Sequence, residues 1–501
     1  MRCRLPLLFL FICIAFSSLG QEVKKKRIEL LNAEVLEYDE SLGHKAKRLI
    51  GDVIFEHEGA IMHCDSAYLY EDNSMDAFSR VRINKGDSIK MWCDELNYNG
   101  NTEFAKAKRN VKLVDREMTL TSQKLDYNMA TEQAWYNTGG KIVDSENTLT
   151  SRIGYYYSTM EELFFKDSVK LVNEQYTLYC DTLRYNTQTE VAFFLGPTTI
   201  ISDENTILCN FGWYDTELDI AQFSKKATVL SSDQSILGDS LYYNKKHGYG
   251  IAIGNVVISD TAQNIVLTGE RAKYYEVGDM VLLTDSAVMI QDMGADSLFL
   301  HADTLLSIID TIIDRRILFA FHHSKFFKPD MRGKCDSLVY SYADSTIRMY
   351  RDPILWSDEN QLTADSMWIQ NKNSKIDRLY MKENSMIISE EDSAMFNQIK
   401  GRYMTGYFTE QKLHRVYVEA NGETIYFAGE EGGPSDNVNK AKASNLLIKI
   451  EANKVKDITF LTQPDATLYP LNLVKLSDMK LEGFNWRIAE RPEKVEDIFE
   501  W

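Results

Sequence analysis

Between Cys64 and Tyr243 one seven-residue phrase recurs at a fixed interval of 29 residues, and this repeat constrains the fold more than any other feature of the chain. It reads C-D-S-A-Y-L-Y from Cys64, C-D-E-L-N-Y-N from Cys93, S-Q-K-L-D-Y-N from Ser122, S-R-I-G-Y-Y-Y from Ser151, C-D-T-L-R-Y-N from Cys180, C-N-F-G-W-Y-D from Cys209 and G-D-S-L-Y-Y-N from Gly238. Self-similarity at a period of 20 to 50 residues marks a stacked architecture, in which each repeat buries its apolar face only against its neighbours. A chain of 501 residues therefore grows here by adding rungs to one stack, rather than by adding separate cores.

Looser copies extend the series: A-E-V-L-E-Y-D from Ala33 upstream, then G-E-R-A-K-Y-Y from Gly269, A-D-T-L-L-S-I from Ala302, C-D-S-L-V-Y-S from Cys335 and A-D-S-M-W-I-Q from Ala364. Twelve rungs result, from about residue 28 to about residue 390. After each phrase comes a polar turn such as Asn99-Gly100-Asn101-Thr102, then a strand signal such as Arg109-Asn110-Val111-Lys112-Leu113 or Gly254-Asn255-Val256-Val257-Ile258. A third signal, Met118-Thr119-Leu120-Thr121 or Thr148-Leu149-Thr150, leads into the next phrase. Each rung reads as two or three short strands with tight turns, which makes the chain all-β. The composition agrees, with 27 Tyr, 23 Phe and only 8 Pro.

Period-two alternation puts Leu183 and Tyr185 on one face and Thr182, Arg184 and Asn186 on the other. The same parity pairs Leu96 with Tyr98, Leu125 with Tyr127, Leu241 with Tyr243 and Leu338 with Tyr340, so one face is an apolar and aromatic ladder. Parity also places Asp181 beside Leu183, which predicts a bulge or a sheet margin there. The ladder fits either the closed core of a β-sandwich or an apolar groove. Tyrosine favours the groove, because its hydroxyl needs a partner or water.

Beyond about residue 390 the period breaks. Residues 391–480 still alternate like strands and are expected to form a divergent terminal cap of the stack, with a long Gly-rich loop over 429–439. Residues 481–501 contain no repeat and are expected to form a mobile tail. At the other end, Arg2 and Arg4, an apolar run over 5–16 and the small residues Ser18 and Gly20 have the layout of a cleavable secretory signal over 1–20. With 56 basic against 74 acidic residues the net charge is -18, which disfavours nucleic acid and anionic lipid surfaces as partners.

Of seven cysteines, Cys3 and Cys13 lie in the signal; Cys64, Cys93, Cys180, Cys209 and Cys335 share one position of the repeat. Other rungs carry Ala, Ser or Gly at that position, so a small buried side chain is expected, not a bridge or a metal ligand. If a strand intervenes between equivalent strands, about 9 to 10 Å separates them, too far for a disulfide.

The A/C-D-x-L-x-Y phrase, the G-N/D-V-x-I strand after it and the T-L-T entry to the next rung resemble the OstA-like family of lipopolysaccharide transport proteins, over roughly residues 33–469. The resemblance implies an elongated, open two-sheet β-jellyroll whose interior holds lipid A acyl chains. It also implies a periplasmic location, with or without association to the outer membrane, and edge-to-edge strand pairing with inner- and outer-membrane transport components. Lipopolysaccharide would be the cargo, head-to-tail self-association is open to it, and the family needs no cofactor and is not enzymatic. Carried onto this chain, the interior ladder of Leu96, Tyr98, Leu125, Tyr127, Leu183, Tyr185, Leu241, Tyr243, Leu338 and Tyr340 becomes the expected lipid-binding surface. The chain departs from the short bridging members by having more rungs, and from the outer-membrane member by lacking a long transmembrane barrel after this domain.

Enzymatic and metal readings find less support. His57 and His63 flank Glu56, Glu58 and Asp65, but fall around a strand turn. His322 and His323 read as a solvated pair beside Lys325. The repeated Asp65, Asp94, Asp181, Asp239, Asp303, Asp336 and Asp365 lack the G-G-x-G-x-D nonapeptide of calcium repeats and are expected to cap strand ends. Two rivals remain: a secreted adhesin or surface protein with a closed β core, and a carbohydrate-active enzyme on a parallel β-helix, which would show a cleft of paired carboxylates.

Overall fold

The computed structural model describes the chain from Arg27 to Trp501, apart from residues 40–45, 87–88, 116–117, 158–159, 295, 311, 313–314, 373–374, 393, 411, 430–434 and 452–453. The expected signal over 1–20, with Cys3 and Cys13, lies outside the described residues, as does part of the 429–439 loop. Antiparallel strands make up nearly all of the rest, and no α-helix occurs among the described residues.

Each regular rung contributes two long strands, not two or three short ones. Ile89–Asn99, Phe104–Asp115 and Met118–Asn128 have 11, 12 and 11 residues. The third signal and the phrase are one continuous strand, and the second signal is only the far half of the return strand. A register shift interrupts each strand near its middle, between Lys108 and Val111 for example. There the return strand carries two consecutive residues in the left-handed region: Ser79 and Arg80 at φ 63° and 48°, Arg109 and Asn110 at 60° and 50°, Lys225 and Lys226 at 61° and 65°, His322 and His323 at 60° and 51°. Such residues bend the strand and strengthen its twist. Asn, Asp and Gly tolerate this conformation best, which explains the G-N/D that opens the second signal.

These corners divide every long strand between two sheets. The first half of Met118–Asn128 pairs with Gly140–Val143 and its second half with Gln133–Tyr136. Those short strands continue separately into Thr148–Ser151 and Ile153–Tyr157. Ile265–Tyr275 divides in the same way between Val288–Asp292 and Met280–Thr284. The architecture is an all-β, two-sheet jellyroll hinged along its corners. Its opposite margin is a seam, where the hairpin ends of the two sheets face each other.

The chain forms two compact units, 1–162 and 163–501. In the first, Glu29–Asn32 and Val35–Asp39 each pair with Ala46–His57, and among the described residues no strand pairs with their other edge. Leu36 and Tyr38, the ladder positions of that first rung, are more than half exposed there. In the second unit, Lys375–Asp392, Lys412–Gly429 and Ser435–Glu451 lengthen to 18, 18 and 17 residues, yet keep the corner at Glu383 and Asn384 and at Ala420 and Asn421.

Two sequence expectations change here. The repeated aspartates brace the corners: Asp65, Asp94, Asp181, Asp239 and Asp336 sit in mid-strand and cap no strand end, while Asp303 and Asp365 directly precede Thr304–Asp310 and Ser366–Lys372. Asp65 takes a bidentate bond from Arg80 at 2.7 and 3.0 Å, Asp94 and Asp239 accept from Asn110 and Asn255 at 2.7 and 2.9 Å, and Asp365 accepts from Asn384 at 3.1 Å. The physical reason is that the bulge turns these side chains toward the strained pair on the next strand. His323 and His322 are such a corner too, half exposed and directed at Asp303 and Asp336 at 2.8 and 3.5 Å. Parity misses the bulge in one further respect: Thr182, expected on the solvated face, is buried, and its hydroxyl donates to Asp181.

The second change concerns the expected mobile tail. Residues 471–501 run as a strap across the outer face of the sheet and close an apolar cluster of Met386, Ile388, Ile425, Phe427, Val438 and Leu481. Two glutamines grip its main chain. Gln398 donates to Met479 O and accepts from Leu481 N–H, and Gln361 donates to Asn485 O and accepts from Arg487 N–H, all within 3.0 Å. Farther along, Lys334 meets Glu490 at 2.6 Å and lies 4.1 Å from the Trp501 ring centroid. The strap has no period because it crosses the strands and follows none of them.

Candidate functional site

The interior ladder is a pair of cross-strand rows. In the first unit the register aligns Met75, Tyr98, Ala105, Tyr127, Ala134 and Tyr156 in one row. Ala77, Leu96, Ala107 and Leu125 form the next row toward the corner. Large side chains from the phrase thus alternate with alanines from the return strand, which lets the two sheets close. Leu96, Tyr98, Leu125 and Tyr127 are at most 4% exposed.

The second unit repeats the rows with a looser margin. Tyr185, Ala192, Tyr214, Ala221, Tyr243, Gly250 and Tyr274 align in register. Leu183, Leu241, Leu338 and Tyr340 are buried, whereas Tyr185 and Tyr243 are only half-buried, as are Tyr214 and Tyr274. The ten expected residues therefore do share the interior face, with the leucines nearer the corners and the tyrosines nearer the seam. Sequence reasoning omitted Tyr214 and Tyr274 from the ladder, although both occupy the Tyr position of their phrase copies. It also missed the alternating Ala and Gly of the return strands, whose A-x-A spacing in Ala105 and Ala107 was the available signal. On the outer face Arg184 stacks over Phe193 at 5.5 Å, in register with Trp213 and Tyr242, so that face is partly aromatic as well.

Polar contacts bridge the seam. His57 Nδ1 and the Tyr98 hydroxyl lie 2.7 Å apart, both residues buried. Lys85 Nζ donates to Met129 O at 2.8 Å and Tyr156 donates to Asp115 at 3.3 Å in the first unit. Tyr426 donates to Val455 O at 3.3 Å in the second. Burial pushes the Tyr98, Tyr127, Tyr243 and Tyr340 hydroxyls up from the usual phenol range, so each remains a neutral donor at physiological pH. His57 thus serves as a seam partner for the ladder.

The five cysteines are buried and unbridged. Cys180 and Cys209 both face Thr198 from opposite sides, which puts one strand between equivalent positions. Burial raises the Cys64, Cys93, Cys180 and Cys335 thiols to about 12 and Cys209 to about 11. No group of three or more potential metal ligands occurs among the described residues. No helix among them is long and apolar enough to cross a membrane, a statement that does not bear on β-barrels.

An alternating apolar ladder lines the interior of the paired sheets, with its polar tips at the seam, and defines the chain as a β-jellyroll. The pattern that describes OstA-like proteins matches residues 25–181 and 173–239, so over that segment the chain is similar to the OstA-like family. Among solved structures, LptH, the LptA-homologous periplasmic component of the lipopolysaccharide transport device of Pseudomonas aeruginosa, is similar to 24% of this chain. The match covers 82% of the LptH chain at 17% identity and a TM-score of 0.21. No curated protein matches.

Proposed function

We propose that this chain is a non-enzymatic, periplasmic carrier of lipopolysaccharide that shields acyl chains between its sheets during transfer from the inner to the outer membrane. The observation that carries the reading is the continuous row of Tyr185, Tyr214, Tyr243 and Tyr274, half-buried at the seam, above a deeper apolar row. Each methylene withdrawn from water contributes about 0.8 kcal/mol, so a multi-acyl lipid gains heavily from such a lining. Equivalent rungs offer similar binding free energy at successive steps, which permits sliding without a deep trap. Entry would part the seam in the second unit, where the tyrosines are least covered. The unpaired edge at Val35–Asp39, with Leu36 and Tyr38 exposed, supports strand pairing with another transport component or a second copy.

A rival reading is favoured by one observation: the interior of the first unit is filled by its own side chains, as in a closed-core adhesin or structural β protein. Depletion in cells separates the two. The carrier reading expects lipopolysaccharide to accumulate before the outer membrane and that membrane to become permeable to large antibiotics. A normal outer membrane with full surface lipopolysaccharide would contradict it.

A further inference from the structure

One polar interruption of the tyrosine row in the second unit adjoins a cavity. Beyond Tyr274 the tyrosine row continues through Val281, Ser307, Leu318 and Tyr340, so a buried serine interrupts it. Arg316 reaches that serine with one guanidinium nitrogen, donating to Ser307 Oγ at 2.9 Å, and meets Asp279 with the other at 2.6 Å. Beside it lies a cavity of about 290 Å³ lined by Gln263, Gln291, Ile309, Arg315, Arg316 and Tyr342. Three of these residues hold buried polar atoms without a hydrogen-bond partner: Gln263 Oε1, Gln291 Oε1 and Arg316 Nε. Buried polar groups are ordinarily satisfied, so three orphans around one cavity mark a place built for a polar guest.

The position is also informative. Gln263 belongs to the hairpin before Ile265–Tyr275, and Gln291 lies near the end of Val288–Asp292. Ile309 closes Thr304–Asp310, Arg315 and Arg316 open Arg315–Lys328, and Tyr342 follows Met331–Ser341. All six therefore sit at strand ends, where the two sheets meet along the seam. A guest held there has the apolar rows on one side and water on the other.

We infer that this cavity seats one neutral, hydroxyl- and amide-bearing sugar unit of a glycolipid, while its acyl chains lie on the ladder. The chemistry selects among polar guests. Two carbonyl oxygens need donors and repel an anion, Asp279 already balances the Arg316 charge, and the buried Nε–H of that side chain still needs an acceptor. Burial raises the Tyr342 phenol, keeping it a neutral hydroxyl that can donate or accept. Sugar hydroxyls, which both donate and accept, fit this set; a fully ionised phosphate accepts from the Nε–H but gives the two carbonyl oxygens no donor. The volume suits one ring, being at the small end of the range for ligand pockets, about 300 Å³. This inference rests on the lipid-carrier reading and specifies where its headgroup would be read.

The test uses the full mature chain. Side-chain amide NMR signals of Gln263 and Gln291 are followed during titration with methyl N-acetylglucosaminide, and separately with inorganic phosphate. Saturable shifts with the sugar and none with phosphate are expected. Shifts with phosphate alone, or with neither, mean a cavity that holds only an anion or water and overturn the inference. In a second arm, affinities for lipopolysaccharide and for dodecanoate are compared between the wild type and the double variant Gln263→Leu, Gln291→Leu. The preference for lipopolysaccharide should fall by about tenfold or more, as when a site built for polar contacts loses them. The melting temperature of the double variant is measured alongside, so that a fold defect, including one from losing the Gln291 contact to Tyr340, would be visible. An unchanged preference in a folded double variant refutes the sugar seat and leaves the carrier standing. Sugar-induced shifts in a protein that binds neither lipid refute the carrier and leave the seat standing.

Discussion

Tyr98 shows at the residue scale how the ladder serves two purposes. Its ring fills the space left by Ala105 on the next strand, and its hydroxyl meets His57 across the seam at 2.7 Å. Tyr98→Phe keeps the packing and removes one of the bonds to a buried imidazole, so it should destabilise the first unit by about 1 kcal/mol in denaturant unfolding. A variant as stable as the wild type would show that the seam contact contributes nothing. The cysteines give a second prediction. Thiols held near 11 to 12 by burial should not react with a disulfide reagent in the native protein at neutral pH, and denaturation without reductant should release five per mature chain. One or three would mean that bridges form.

Much of this scale is legible in sequence, because a period of 29 fixes which residues are equivalent and alternation fixes their face. Leu96, Tyr98, Leu125 and Tyr127 could be named before any coordinates. What alternation cannot see is the corner, since two left-handed residues reset the parity in mid-strand. Asp181 and Thr182, which sit at that reset, are where simple alternation fails.

Among elements, the strap of 471–501 is the least predictable from sequence and the most specific in its contacts. Gln361 and Gln398 recognise its main chain, and its apolar residues, such as Leu476, Leu481 and Phe484, pack across the strands and so follow no strand period. The Arg487 guanidinium, followed by Lys334 Nζ, holds the Glu490 carboxyl down at about 2. Because the folded value lies below the unfolded one of 4.5, this contribution is complete above about pH 4.5 and disappears as pH falls through about 2. Amide exchange at Leu481 and Arg487, corrected for intrinsic rates, should therefore lose protection relative to the central strands as pH falls from about 4.5 to about 2. Equal loss in strap and sheet would contradict a locally released strap. The corners belong to the same scale: Asp94→Ala removes the acceptor for Asn110 at 2.7 Å and should weaken its corner more than a neighbouring surface change does, by up to about 1 kcal/mol.

For the molecule as a whole, the two units carry the same rows but differ in how fully the tyrosines are covered. The carrier account depends on that difference, because a filled interior must part to accept a guest and does so most readily where Tyr185 and Tyr243 already meet solvent. The free edge at Val35–Asp39 makes a separate prediction: Val35→Pro, which removes a backbone donor there, should reduce any concentration-dependent self-association seen by sedimentation, without unfolding the stack. The central claim is tested most directly by photo-crosslinking in cells, with a photoreactive residue placed at Tyr127, Tyr185 or Tyr243 inside, or at Arg184 outside. The account predicts lipopolysaccharide adducts from the interior positions, strongest at Tyr185 and Tyr243, and none from Arg184. Equal labelling from both faces, or none from the interior, would contradict it.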